Sequence, residues 1–92
     1  MPNWTFLSNH GQVLLCIARD SDVRLREIGD QVGITERAVH RIVGELADAG
    51  YLRRERNGRR NRYTITSHLG LPDPLARDRS IGDLLSVLAA PR

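Results

Sequence analysis

Ninety-two residues, 40% of them apolar and 27% charged, describe one small globular domain with neither a collagenous nor a disordered composition. Cys16 is the lone cysteine, which excludes an intramolecular disulfide, and the longest apolar run, Val13 to Ala18, is too short to span a bilayer. Fourteen basic residues, all arginine, stand against eleven acidic ones, and the net charge of +3 favours an anionic partner. The opening Met1-Pro2-Asn3-Trp4 lacks the charged start and long apolar stretch of a secretory signal, so a cytoplasmic location is expected.

Ser8 and Asn9 are both good helix caps, and Asn9-x-x-Gln12 reads as a capping box. A first helix is expected from about His10 to Arg19. Its apolar residues Val13, Leu14, Cys16, Ile17 and Ala18 sweep a wide arc, and Leu15 points away from it. Such a helix needs cover on more than one side, and Trp4 and Phe6 are expected to form a lid over Leu15. Asp20-Ser21-Asp22 is a turn cluster, and Val23 and Arg24 can add a short extended segment. Leu25 to Val32 reads as a second helix with Leu25, Ile28 and Val32 inward, stopped by Gly33. Thr35 then caps a third helix running to about Ala49, with Glu36 well placed for the N-terminal dipole and Gly50 ending it.

A strand-turn-strand pattern follows, in which Tyr51 to Arg56 and Arg59 to Thr66 flank Asn57-Gly58. With Asn57-Gly58 as a two-residue turn, the register pairs Arg56 with Arg59, Arg54 with Asn61, Arg53 with Arg62, and Leu52 with Tyr63. His68 to Pro74 is a loop. Ser80-x-x-Asp83 opens a last short helix whose Ile81, Leu84, Leu85 and Leu88 form one apolar stripe. Either the first helix of the same chain or the same elements of a second chain must bury that stripe, and a two-fold dimer is the arrangement expected. The fold class is mainly α with a small β-hairpin: a three-helix core, a two-stranded wing and a short C-terminal helix.

Residues 25–46 carry the functional signal. Ile28, Val32, Ile34, Val39 and Ile42 are apolar where two helices joined by a tight turn must touch. Gly29 sits where the helices cross, and Gly33 sits in the turn, where positive φ is often needed. The arrangement resembles the helix-turn-helix of bacterial transcription factors, which sends the start of its second helix into the DNA major groove. Placed at 100° intervals, Val39, Ile42, Val43 and Leu46 form a buried stripe. Opposite them lie Arg37, His40, Arg41 and Gly44, flanked by Glu36, Glu45 and Asp48. Arginine can make two hydrogen bonds to guanine.

The basic charge is local. Residues 53–62 hold six arginines and one glutamate, a net +5, so the remaining residues sum to −2. In the register above, Arg53 faces Arg62 and Arg56 faces Arg59. Like charges opposed across strands are destabilising, and a polyanion would relieve them.

The helix-turn-helix, then Ala49-Gly50-Tyr51-Leu52, then an Arg-rich hairpin around Asn57-Gly58 and Tyr63-Thr64-Ile65, resembles winged-helix regulators of the MarR and ArsR type over about Ser8 to Thr66. The resemblance implies a winged helix-turn-helix over residues 1–66, with residues 67–92 a loop and short helix of the same domain, used for packing or dimerisation. It implies a sequence-specific, double-stranded DNA-binding regulator located with the nucleoid, a homodimeric repressor as most such relatives are. The reading helix 35–49 would meet DNA through Thr35, Glu36, Arg37, His40 and Arg41. The wing, 53–62, would hold the backbone or enter the minor groove through Arg54, Arg56, Arg59, Arg60 and Arg62. The competing reading is a winged-helix module that docks protein or RNA. Cys16, His10, His40 and His68 have no metal-site spacing. With no phosphate loop and no nucleophile beside a His and an acid, neither cofactor nor catalysis is expected.

Overall fold

Four helices and one antiparallel hairpin follow one another in the computed structural model, which describes residues 2–89. They are α1 (Asn9–Arg19), α2 (Leu25–Val32), α3 (Glu36–Asp48), β1 (Leu52–Asn57), β2 (Arg60–Ile65) and α4 (Ile81–Leu88), with a short 3-10 turn at Pro74–Ala76 inside the stretch that leads to α4. Among the described residues no helix is long and apolar enough to cross a membrane.

Ser8, rather than Asn9, caps α1. Its hydroxyl accepts the Gly11 N–H at 3.2 Å, while the Gln12 side chain donates to the Leu7 carbonyl at 3.1 Å instead of closing a box on Asn9. The helix therefore begins one residue earlier than predicted. Val13, Leu14 and Ile17 are its buried face; Leu15 and Cys16 are half-buried and Ala18 is exposed. The aromatic lid over Leu15 does not form. The chain before Ser8 folds toward Gly11 and Leu14, so Trp4 and Phe6 stack edge-to-face with centroids 5.0 Å apart and stay 58% and 93% exposed. Leu15 instead lies beside Gln31 and Val32 of α2.

The helix-turn-helix forms as its spacing predicts. Gly33 closes α2 in the left-handed region (φ 84°), and the N–H groups of Gly33 and Ile34 both donate to the Gly29 carbonyl, at 2.8 and 3.0 Å. Only glycine adopts that backbone without strain. Gly29 answers a different need. A Cβ there would lie 2.8 Å from the Ile34 carbonyl oxygen, so the turn can cross α2 only over a hydrogen. Thr35 then caps α3 by accepting the Ala38 N–H at 3.1 Å. The crossing drives Ile28, Val39, Ile42 and Val43 into one core with Val13, Leu14 and Ile17 of α1, each side chain contributing about 1.5–3 kcal/mol when fully buried.

The hairpin register differs from the predicted one. Leu52 pairs with Ile65, Arg53 with Thr64, Arg54 with Tyr63, Glu55 with Arg62, Arg56 with Asn61 and Asn57 with Arg60. Gly58 and Arg59 are thus the central turn residues. Gly58 takes φ 66° and Arg59 does not enter the left-handed region, the pattern of a turn with glycine first. Both registers keep Leu52 and Tyr63 on one face. The observed one also sets an apolar pair at the root and Glu55 opposite Arg62, and it places no two arginines face to face. The repulsion inferred from sequence is absent, and its avoidance helps choose the register.

After β2 the chain returns to its own core. Leu71 donates to Arg79, Ile81 to Leu69 and Gly82 to Ser67, at 2.8–2.9 Å, pinning the start of α4 beside the end of the hairpin. Ser80 and Asp83 cap the helix reciprocally. Ile81 and Leu85 are buried in the same chain, and the Arg19 guanidinium donates to the Leu88 carbonyl at 3.4 Å. Of the α4 stripe, Ile81 and Leu85 are covered within the chain, while Leu84 and Leu88 stay half-buried.

Gly29→Ala is expected to destabilise the fold by about 1–3 kcal/mol, since backbone must move to admit the methyl. Gly44→Ala, in the same motif with nothing within 4 Å of the added Cβ, is expected to stabilise by up to about 1 kcal/mol; thermal melts of both check the opposite signs.

The Ser80 N–H and hydroxyl hold the Asp83 carboxyl below its ordinary pKa. A depressed folded-state value contributes stability above the unfolded pKa, near about 4, and loses it as pH falls through the folded value. The melting-temperature gap between the wild type and Asp83→Asn should therefore be full at neutral pH and narrow below about pH 4.

Candidate nucleic-acid interface

The exposed side of α3 is the one the helical rotation predicted. Val39, Ile42, Val43 and Leu46 are buried, whereas Thr35, Glu36, Arg37, His40 and Arg41 are exposed. Intramolecular partners separate these residues. The Thr35 hydroxyl is engaged as the cap. His40 lies 3.8 Å from Glu36, and Arg41 donates to Glu45 at 3.0 Å. The same Glu45 oxygen lies 2.9 Å from His10 Nε2, so α1 reaches across to the reading helix. Arg37, in the first turn of α3, has no ion pair or side-chain hydrogen bond among the described residues.

The predicted wing arginines do not form one set. Alternation places Arg54 and Arg56 on the face that buries Leu52 and Tyr63 at its root, and Arg60 and Arg62 on the other, with Arg59 at the tip. The second face is braced by the turn after α1. The Arg60 guanidinium donates to the Asp22 carbonyl at 2.8 Å, Arg62 Nε lies 3.9 Å from the Asp22 carboxylate, and the Tyr63 N–H donates to the Ser21 carbonyl at 3.2 Å. Arg53 pairs with Glu55 at 3.1 Å and Arg56 donates to the Gly58 carbonyl. Arg54 and Arg59 hold no protein acceptor among the described residues. All of these pairs are exposed, each worth about 0–1 kcal/mol, and a phosphate can displace them.

One arginine outside the predicted set enters this region. Arg24, immediately before α2, faces Arg59 and Arg60 across a groove also lined by Asp22, Val23, Leu25, Asn61 and Tyr63. Sequence separation hid it. The hint available was a basic residue directly after the turn cluster that braces β2.

Cys16 is half-buried and donates to Gln31 Oε1 at 3.4 Å; desolvation raises its pKa despite the nearby Arg19, so the thiol form is favoured. Low thiolate content makes it a poor nucleophile. His68 is exposed. Among the described residues no group of three His, Cys, Asp or Glu side chains could hold a metal ion.

A tight two-helix turn, a hairpin directly behind the second helix and arginines on both define a winged helix-turn-helix. Residues 5–62 match the sequence model of the MarR family. The chain belongs to that family of transcriptional regulators. An uncharacterized protein of Methanocaldococcus jannaschii is 31% identical over 64 residues, covering 68% of this chain and 14% of the relative. The crystal structure of the zinc-dependent MarR family transcriptional regulator AdcR, in its Zn(II)-bound state, superposes with a TM-score of 0.56 at 18% identity. That match covers 95% of this chain and 55% of the regulator, so the chain spans about half of that protein and a small part of the archaeal one.

Proposed function

We propose that this chain is the DNA-reading part of a transcriptional regulator, placing the start of α3 in the major groove and its hairpin on the flanking backbone. The observation that carries the reading is that α3 and the wing, the two elements a winged helix turns toward DNA, both present exposed guanidinium groups without an acceptor among the described residues, Arg37 on α3 and Arg54 and Arg59 on the wing. Such groups offer ready donors to a polyanion. Arg37 and Arg41, one helical turn apart, are the groups for guanine edges, with Glu36 able to accept from cytosine and Thr35 and His40 beside them. Arg54, Arg56, Arg59, Arg60 and Arg62 hold phosphates or enter the minor groove. The last two need only exchange their exposed contacts with Asp22 for phosphate oxygens.

In this reading the protein is a repressor that blocks polymerase access as a homodimer, with α1 and α4 at the two-fold interface. What supports that interface is Val87, which remains 75% exposed on α4 after the helix has docked on its own chain. Residues 1–66 serve as the DNA-binding unit and 67–92 as the element that braces it.

If roughly six to eight phosphates are neutralised per protomer, log affinity for duplex DNA should fall with log salt at a slope of about −5 to −7. The double variant Arg37→Ala, Arg41→Ala should lose about 1–3 kcal/mol of discrimination per lost bidentate contact while melting as the wild type does. A salt slope near zero, measured by fluorescence anisotropy, contradicts the reading.

A further inference from the structure

The groove between the start of α2 and the wing is an electropositive cleft of about 390 Å³, lined by three arginines and one aspartate. Arg24 lies on one wall and Arg59 and Arg60 on the other. The one carboxylate lining it, Asp22, is turned to Arg62 at 3.9 Å, and only the Asp22 carbonyl serves Arg60. The Arg24 backbone N–H is taken by Glu27 at 3.1 Å, but its guanidinium, like that of Arg59, has no acceptor among the described residues. Three cations thus share a cleft with one carboxylate already engaged elsewhere.

We infer that Arg24 is a phosphate clamp: with Arg59 it straddles a phosphodiester of the duplex that α3 reads. The inference rests on the DNA-binding reading and adds to it the residue that precedes the first helix of the motif. Two features select a strand backbone over a small free anion. All three arginines are exposed, so they can reach an anion carried on a chain too large to enter the cleft. Its walls are also the wing tip and the segment Asp22 to Leu25 that leads into the first helix of the motif, and that helix crosses the DNA backbone when the second occupies the major groove. An arginine at that crossing supplies a charge-assisted, two-pronged contact to phosphate oxygens. The contact fixes register and carries no base information.

The test is a salt series of duplex binding for the wild type, Arg24→Ala, Arg24→Lys and Arg77→Ala, an arginine outside the groove. Arg24→Ala should bind about three- to tenfold more weakly at moderate salt. Its slope should be shallower by about one unit, equally for a preferred and an unrelated duplex. Arg24→Lys should keep most of the slope and Arg77→Ala all of it. Since the Arg24 side chain holds no partner among the described residues, the melting temperature of Arg24→Ala should match the wild type. Wild-type binding with a steep slope, unchanged in Arg24→Ala, overturns this assignment and leaves the DNA-binding reading standing. A wild type that fails to bind duplex at low salt defeats both. Titration with inorganic phosphate, followed through the arginine side-chain resonances, separates the other source. Shifts at Arg24 and Arg59, with duplex affinity unchanged in Arg24→Ala, would assign the cleft to a free anion and refute the clamp.

Discussion

The crossing of α2 by the turn that follows it depends on a missing methyl group. Gly29 lets the Ile34 carbonyl come where a Cβ would stand 2.8 Å away, and Gly33 reverses the chain at φ 84° within the same few residues. These two constraints set the angle between α2 and α3. That angle decides which face of α3 joins Val13 and Ile17 in the core and which faces solvent. Because core side chains are close-packed, the angle cannot drift without opening a void. The exposure of Arg37, His40 and Arg41 is thus a consequence of packing on the other side of their helix.

The wing is held by a second, electrostatic constraint. A hairpin with six arginines in ten residues has few registers that keep them apart, and the one adopted sets Glu55 against Arg62 and neutral residues against Arg53, Arg54 and Arg56. Asp22 then ties Arg60 and Arg62 to the turn after α1, giving the hairpin an anchor just beyond the end of that helix. This sorts the arginines by role. Arg60 and Arg62 contact the Asp22 turn, whereas Arg54 and Arg59 have no acceptor among the described residues. The case for a polyanion therefore rests on unsatisfied donors rather than on strain within the hairpin.

Local chemistry was legible in the sequence and tertiary choice was not. The bounds of α2, the Thr35 cap, the Ser80–Asp83 cap and the buried stripe of α3 follow from residues within one or two helical turns of each other, and the structure reproduces them. The turn centre at Gly58-Arg59 is not encoded locally, since Asn57-Gly58 suits a turn one position earlier; what separates the two registers, the Leu52–Ile65 pair and the absence of facing arginines, lies along the strands. Trp4 and Phe6 were misplaced because nothing near them encodes which side of α1 the incoming chain follows. Arg24 is hidden for a similar reason: it and Arg59 are 35 residues apart and meet only once β2 has docked on the turn that leads into α2.

If the start of α3, the wing and the groove beside α2 form one DNA-facing surface, their arginines should respond as a unit in two-dimensional NMR of the Nε–Hε groups during titration with duplex DNA. Arg24, Arg37, Arg41, Arg54 and Arg59 are expected to shift together at one stoichiometry, while Arg19, Arg77 and Arg79 stay in place. Shifts confined to Arg19, Arg77 and Arg79, with the α3 and wing resonances unmoved, would contradict it.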